Sequence, residues 1–291
     1  MSNTHQPLAL NSSALKELVT SDKIVPVRHY GRLVGSILAI LVVAQFALAF
    51  ATSPYIDWSV IGHFLTNVAV LEGLKVTLEL TVIAMCTSLV VSIAIATMRM
   101  SRSGILRGIA YGYVFVFRGV PLLVILIVTG NLGLFYKNFT VGIPLTGIVF
   151  YSTPMQAMIT PFVASVIGLT LSASAYMSEI VRGGLLAVDR GQFSASKALG
   201  LNSLQTFRYV VLPQAMRVIT PPLGNEFINV LKATSLVSVI AGGDLLTITQ
   251  AIAGTNYKVI ELMIVATLWY LAVIITFSIF QYFLERKIAA R

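Results

Sequence analysis

The sequence predicts an all-α polytopic membrane protein with about six transmembrane helices, and three observations carry that prediction. Hydrophobic residues make up 57% of the 291 residues and charged residues only 11%, whereas a soluble domain carries about 25% charged residues. The apolar residues gather in six runs, at about 33–53, 74–98, 109–133, 161–182, 217–241 and 259–283. Each is near the roughly 20 residues needed to cross a bilayer. Lys and Arg concentrate in alternate connections between these runs, which is the positive-inside pattern of cytoplasmic loops.

Residues 1–32 read as a polar cytoplasmic tail, with Lys16, Lys23, Arg28 and Arg32 before the first run and no resemblance to a cleaved signal peptide. Residues 33–72 comprise a first helix without internal ionisable residues or small-residue stripes, then an outer linker with Ser53, Pro54, Asp57 and Gly62. That composition marks a peripheral helix. The second run carries Ala84, Ser88, Ser92 and Ala96 at four-residue spacing, and the fourth carries Ala164, Gly168 and Ser172. Small residues on one face let helices approach closely, and we read them as packing rather than as a dimer or gating surface. Arg99, Arg102 and Arg107 occupy the second connection. Arg182, Arg190, Lys197, Arg208 and Arg217 occupy the fourth, and Arg286, Lys287 and Arg291 the C-terminal tail 286–291. The outer connections hold little more than Lys75, Lys137 and Lys258. Both termini and the loop 183–216 are therefore expected inside, with the chain a multi-pass membrane protein. The outer segment 134–160, with Asn138, Pro144, Gly147, Ser152, Thr153 and Pro154, is expected to be a structured loop with a partly re-entrant piece.

Composition also excludes several functions. The net charge of +9 is spread over membrane-flanking loops, which argues against a nucleic-acid-binding face. Cys86 is the single cysteine and lies inside an apolar run, so neither an internal disulfide nor a cysteine metal site can form. His5, His29 and His63 lack ligand spacing. No Gly-x-x-x-x-Gly-Lys-Ser/Thr loop is present, so ATP hydrolysis is not expected on this chain.

The stretch Gly191-Gln192-Phe193-Ser194-Ala195-Ser196-Lys197-Ala198-Leu199-Gly200-Leu201 is polar and basic between two apolar runs. It predicts a short cytoplasmic helix bounded by Gly191 and closed by Gly200 in the left-handed C′ position, a handle for a cytoplasmic partner. Inside the runs stand Glu79, Arg118, Glu179, Glu226, Lys232 and Glu261. Each ion costs about 2.5–3.5 kcal/mol to insert, so it faces protein or a water-filled path. Glu79 and Glu261 lie close to the outer interface. Arg118 precedes Gly119-Val120-Pro121, and Lys232 precedes Ala233-Thr234-Ser235, with Asn225 and Asn229 one to two turns earlier. These ions either pair with one another to hold the bundle or line a translocation path. No acid pair, nucleophile with base, or metal-ligand set stands out among them.

Several motifs together resemble the permease subunits of ABC importers for polar amino acids. Ser194-Ala195-Ser196, Gly200 and Val210-Val211-Leu212-Pro213 keep the spacing of the family's Glu-Ala-Ala loop. Gly73-Leu74-Lys75-Val76-Thr77-Leu78-Glu79-Leu80-Thr81, Phe117-Arg118-Gly119-Val120-Pro121-Leu122-Leu123 and Ala175-Tyr176-Met177-Ser178-Glu179-Ile180-Val181-Arg182-Gly183-Gly184 resemble further family elements. So does Leu212-Pro213-Gln214-Ala215 followed by Pro221-Pro222 and Leu231-Lys232-Ala233-Thr234-Ser235-Leu236. Three departures stand out: Ser194 and Ser196 replace a glutamate and an alanine, Ala233 replaces an acid beside Lys232, and the first helix is an addition to the common five-span form.

The resemblance implies a five-helix importer core over 73–285 plus one extra N-terminal helix. It implies work with a cytoplasmic ABC ATPase dimer that uses the ATP, an external solute-binding protein, and a second permease copy or a sister chain. Gly191, Gln192, Ser194, Ala195, Ala198, Gly200, Leu201, Leu212 and Pro213 would then couple to the ATPase. Arg118, Glu179, Asn225, Glu226, Lys232, Thr234 and Ser235 would line the substrate path, with Glu226 and Glu179 as candidate partners of Lys232. The rival is an ion-coupled secondary transporter or channel, which intramembrane Glu and Lys would also suit.

Overall fold

The structure, a computed structural model, describes residues 30–143 and 148–289. Expectations that involve His5, Lys16, Lys23, Arg28, His29, Pro144, Gly147 and Arg291 lie outside the described residues. The chain divides into two units, one ending at Tyr55 and the other starting at Ile56. The first holds α1 (Tyr30–Ala51), long and apolar enough to cross a bilayer. Its described side chains are exposed all round, a surface that suits lipid. Ser36 bonds the Arg32 carbonyl one turn back at 2.8 Å, which satisfies its hydroxyl inside the helix.

The second unit opens with α2 (Trp58–Leu65), capped by Asp57, whose carboxylate accepts from the Ser59 hydroxyl at 2.6 Å and from the Ser59 and Val60 amides. The Ser59 hydrogen bond leads the effects that hold the Asp57 carboxyl below the usual range. Then come α3 (Val68–Met100), α4 (Gly104–Gly119), α5 (Leu122–Gly130) and α6 (Leu132–Phe135). The antiparallel hairpin β1 (Asn138–Ile143) and β2 (Ile148–Pro154) leads through α7 (Met155–Met158) to α8 (Pro161–Leu186). The loop carries α9 (Arg190–Ala198) and α10 (Ser203–Gln205). A π-helical turn (Thr206–Val211) then leads into α11 (Leu212–Ala233). A 3-10 segment (Thr234–Ile240), α12 (Leu245–Asn256) and α13 (Val259–Ala289) complete the described chain.

Among the described residues, α1, α3, α8 and α13 can each cross a membrane alone, and two bent pairs complete six spans if each pair counts as one. The first pair corrects the continuous third run. Its two helices, α4 and α5, meet at 101°, because Pro121 lacks an amide donor and drives Val120 into an extended conformation (φ −85°, ψ 130°). The second bend, 44°, separates the fifth run from α12, which the hydropathy pattern did not isolate. Here Ala241 (φ 52°) and Gly243 (φ 81°) turn the chain, and the buried Asp244 caps α12 through the Leu246 amide at 3.0 Å and the Thr247 hydroxyl. Thr77 of α3 accepts the Leu245 amide at 2.9 Å and fixes this corner. Segment 134–160 forms the hairpin instead of a re-entrant piece, since Phe139, Val141, Ile148, Val149, Phe150 and Tyr151 favour extended backbone. Apart from this hairpin, the secondary-structure elements of the described residues are helical.

The core is the pairing of α3 with α8. Ala84, Ser88, Ser92 and Ala96 are all buried along α3, as their small size predicted for a packing stripe. Gly168 of α8 lets α5 approach so closely that a Cβ there would stand 2.8 Å from Leu126 Cδ2. Leu80, Ala84, Leu126, Leu169, Ala173, Met177, Val230 and Val237 form one cluster that locks α3, α5, α8 and α11 together. At the outer end predicted from charge, Glu261 is buried and accepts the Asp57 amide at 3.1 Å. Lys258 lies 3.4 Å from Asp57 and 4.0 Å from Glu261. Glu79 pairs with Lys75 at 3.7 Å on an exposed face. Both acids therefore have structural partners.

Candidate functional site: a loop helix and a charged cavity

The loop helix α9 is shaped at both ends by the residues that predicted it. Asp189 caps it through the Gly191 amide at 2.6 Å, and a side chain at 191 would meet that carboxylate, with a Cβ 2.7 Å from Asp189 Oδ1. At the other end Gly200 takes φ +73°. The Gly200 amide bonds the Lys197 carbonyl and the Leu201 amide bonds the Ser196 carbonyl, both at 3.0 Å, which is the paired closure of a Schellman motif. Ser194 and Ala195 are exposed, whereas Ser196 is buried and bonds the Gln192 carbonyl at 2.7 Å. The side chain of Gln214 donates to Gln192 at 3.3 Å and to the Val210 carbonyl at 2.9 Å, tying α9 to the start of α11. Asn202 and Gln205 bond each other's backbone amides at 2.9 Å and start α10. Pro213 sits at the start of α11, directly after the π-helical turn whose last bond runs from the Leu212 amide to the Phe207 carbonyl.

Below the loop, Val188, Val211, Ala215 and Ile219 pack together with Ile180 and Leu185. Within the loop, Phe193, Leu199, Leu204, Phe207 and Tyr209 remain exposed, as do Arg190 and Lys197. The loop is thus rigidly joined to α8 and α11 and presents an apolar surface rimmed by positive charge.

A cavity of about 480 Å³ lies where α4 breaks against α8 and α11, lined among others by Arg118, Pro121, Ser172, Tyr176, Glu226 and Asn229. Pro121 creates it: the 101° bend carries α5 away and leaves Arg118 at the end of α4 facing the gap. The Arg118 guanidinium stacks on the Tyr176 ring at 4.9 Å and forms no ion pair among the described residues. Glu226 accepts one hydrogen bond, from the Asn229 amide group at 3.2 Å, and likewise has no cationic partner among the described residues. A cation and an anion that form no ion pair among the described residues therefore share a cavity large enough for a small solute, and the charge of Arg118 also acts on Glu179.

The other sequence candidates are distributed differently. Glu179 gives one oxygen to Arg99 at 2.7 Å and the other to Arg182 at 2.6 Å, joining the C-terminal end of α3 to α8. Lys232 is exposed and pairs with neither Glu226 nor Glu179. Thr234 is buried on the Leu231 carbonyl at 2.6 Å, 3.4 Å from the Tyr270 hydroxyl, and Ser235 bonds the Lys232 carbonyl at 2.7 Å. Asn225 accepts from Gln281 at 3.4 Å. These five, Glu179 included, stand outside the lining of this cavity. Sequence reasoning missed Arg99 as the partner of Glu179, because their contact joins residues 80 positions apart and leaves no local pattern.

Residues 88–290 match the family described as "Binding-protein-dependent transport system inner membrane component". The chain belongs to this family. The permease is 36% identical over 263 residues to the arginine transport system permease protein ArgU of Corynebacterium glutamicum, covering 90% of this chain and 81% of that one. It is 34% identical to the probable amino-acid ABC transporter permease protein YckA of Bacillus subtilis, over 76% of this chain and 89% of that one. A crystal structure of an amino acid ABC transporter with histidines superposes at a TM-score of 0.63 and 35% identity, covering 75% of this chain and 94% of that chain. The inward-facing MetNI methionine transporter shares the fold at a TM-score of 0.59 and 18% identity. The permease is thus the membrane-spanning subunit of an ABC importer that works with an ATPase and a binding protein, and ATP hydrolysis belongs to a separate subunit. Membership replaces the ion-coupled alternative.

Proposed function

We propose that the permease moves an amino acid inward through the cavity of Arg118 and Glu226. The observation that carries this reading is that a guanidinium and a carboxylate, neither in an ion pair among the described residues, line one cavity of about 480 Å³. Arg118 fits the substrate α-carboxylate, since its planar fork can donate two parallel hydrogen bonds. Glu226 fits the α-ammonium, with Asn229 holding its second oxygen. An ion alone satisfies half of the site; a zwitterion satisfies both halves. The name of the Corynebacterium relative makes L-arginine the first substrate to test.

The remaining architecture supports alternating access driven from the loop. The α9 surface is the docking face for a cytoplasmic ATPase dimer that uses the ATP, and no nucleotide binds this chain. A second permease copy or a sister chain completes the path, and both termini lie in the cytoplasm of a bacterial inner membrane. The test uses the permease assembled with its ATPase and binding protein in proteoliposomes. Arg118→Gln and Glu226→Gln should each lower L-arginine uptake by at least about tenfold, the equivalent of one charge-assisted hydrogen bond. Complex yield and substrate binding to the isolated binding protein should be unchanged. Normal uptake by both variants would remove the cavity from the path.

A further inference from the structure

A second cavity, about 450 Å³, adjoins the first and shares Arg118, Gly119 and Tyr176 with it. Its other lining residues are Arg99, Tyr111, Val114, Phe115 and Glu179. The two chambers differ in the ions they offer. The first holds Arg118 and a Glu226 without a cationic partner. In the second, both oxygens of Glu179 are occupied, one by Arg99 and the other by Arg182. The single negative charge of Glu179 is thus already shared between two guanidiniums, so the chamber offers an ammonium group far less than Glu226 does, while positive charge is in excess.

Arg99 retains donors for a ligand. Only one of its terminal nitrogens is committed to Glu179, and its plane lies over Tyr111 at 5.3 Å, which leaves the rest of the guanidinium fork unused. Arg99 ends α3, next to the basic connection assigned to the cytoplasm, whereas Arg118 stands at the far end of α4. The chamber therefore runs from the first cavity toward the cytoplasmic side.

We infer that this second chamber is a cytoplasm-side exit station for the substrate carboxylate, which passes from Arg118 to the free donors of Arg99. It rests on the amino-acid reading of the first cavity. In the station the carboxylate stays paired with a guanidinium while the ammonium leaves Glu226 and meets only a Glu179 already neutralised by two guanidiniums, so the bound form is weaker than in the first cavity and favours release. Substrate that accumulates inside refills the station and slows the next cycle.

The experiment uses the assembled importer in proteoliposomes with ATP sealed in the lumen, which corresponds to the cytoplasm. Initial uptake of radiolabelled L-arginine is compared for empty lumens, lumens loaded with unlabelled L-arginine, and lumens loaded with L-arginine methyl ester. Lumenal L-arginine should slow uptake several-fold and the ester, which lacks the carboxylate, should not. Arg99→Lys keeps a cation opposite Glu179 but loses the fork. It should raise the lumenal L-arginine concentration for half-inhibition by about tenfold, the loss of one charge-assisted hydrogen bond. Replacing anionic phospholipid with phosphatidylcholine should leave the inhibition unchanged. Equal inhibition by acid and ester, no response to Arg99→Lys, or inhibition that vanishes with the anionic lipid would overturn the proposal. Normal uptake without any lumenal effect sinks the exit station alone, whereas uptake insensitive to Arg118→Gln and Glu226→Gln sinks the amino-acid reading beneath it.

Discussion

Glu179 and Lys232 show how differently two intramembrane ions of one chain are handled. Glu179 is braced by Arg99 and Arg182, with side chains only 19–30% exposed across the three residues. Glu179→Gln leaves two guanidiniums without their counter-ion, and removing one partner of a buried pair costs about 3–5 kcal/mol. Discounted for the partial exposure here, about 2 kcal/mol is expected. Complex yield after membrane extraction should fall accordingly, and a yield equal to the parent would show that the triad does not hold α3 to α8. Lys232 is exposed and has no ionic partner among the described residues, so Lys232→Met should leave yield within about 0.5 kcal/mol of the parent. Uptake measured on the same preparation then decides whether this lysine serves transport.

The loop helix α9 is the element where a local rule carries the functional argument. Gly200 stands at φ +73° and closes the helix through two backbone bonds. A β-branched residue there costs roughly 1–2 kcal/mol of local stability, because its Cβ crowds the following carbonyl. Since α9 and its cap lie outside the spans, Gly200→Val should insert and assemble normally while substrate no longer stimulates ATP hydrolysis. Stimulated hydrolysis at the parent rate would separate α9 from coupling. The opposite end offers a milder test. Asp189→Ala removes the acceptor of the Gly191 amide and should loosen α9 by about 1 kcal/mol, seen as faster amide exchange over 190–198 with the spans unaffected.

On the scale of the whole molecule, orientation follows from the basic connections. Arg99, Arg102 and Arg107, the loop around Lys197, and Arg286 and Lys287 all belong on one side if the bent pairs count as single spans. A cysteine placed at 197 in a Cys86→Ala background should resist an impermeant thiol reagent in intact cells and react after permeabilisation. Efficient labelling in intact cells would invert the map. The two-unit division adds a second expectation. A chain beginning at Ile56 behind an initiating Met should still insert, because the basic connections that orient it lie beyond that point.

Hydropathy, charge spacing and turn chemistry determined the four unbroken spans, the small-residue packing stripe on α3, and both ends of the loop helix. These depend on neighbours within a few residues: a run of apolar side chains, an i,i+4 row, a glycine forced to positive φ. Pro121 was visible as a helix breaker, but its 101° bend and the cavity behind it required α5 and α8 to meet around Gly168. The partners of the ions were equally a tertiary decision. Glu79 could pair with Lys75 from spacing alone, whereas Glu179 found Arg99 across 80 residues, and Arg118 and Glu226 were brought to one cavity without being paired elsewhere. A sequence shows which charges are too costly to face lipid. Which of them neutralise each other and which stay free for a substrate is settled only when separate helices pack, because a Coulomb interaction depends on distance in space and not along the chain.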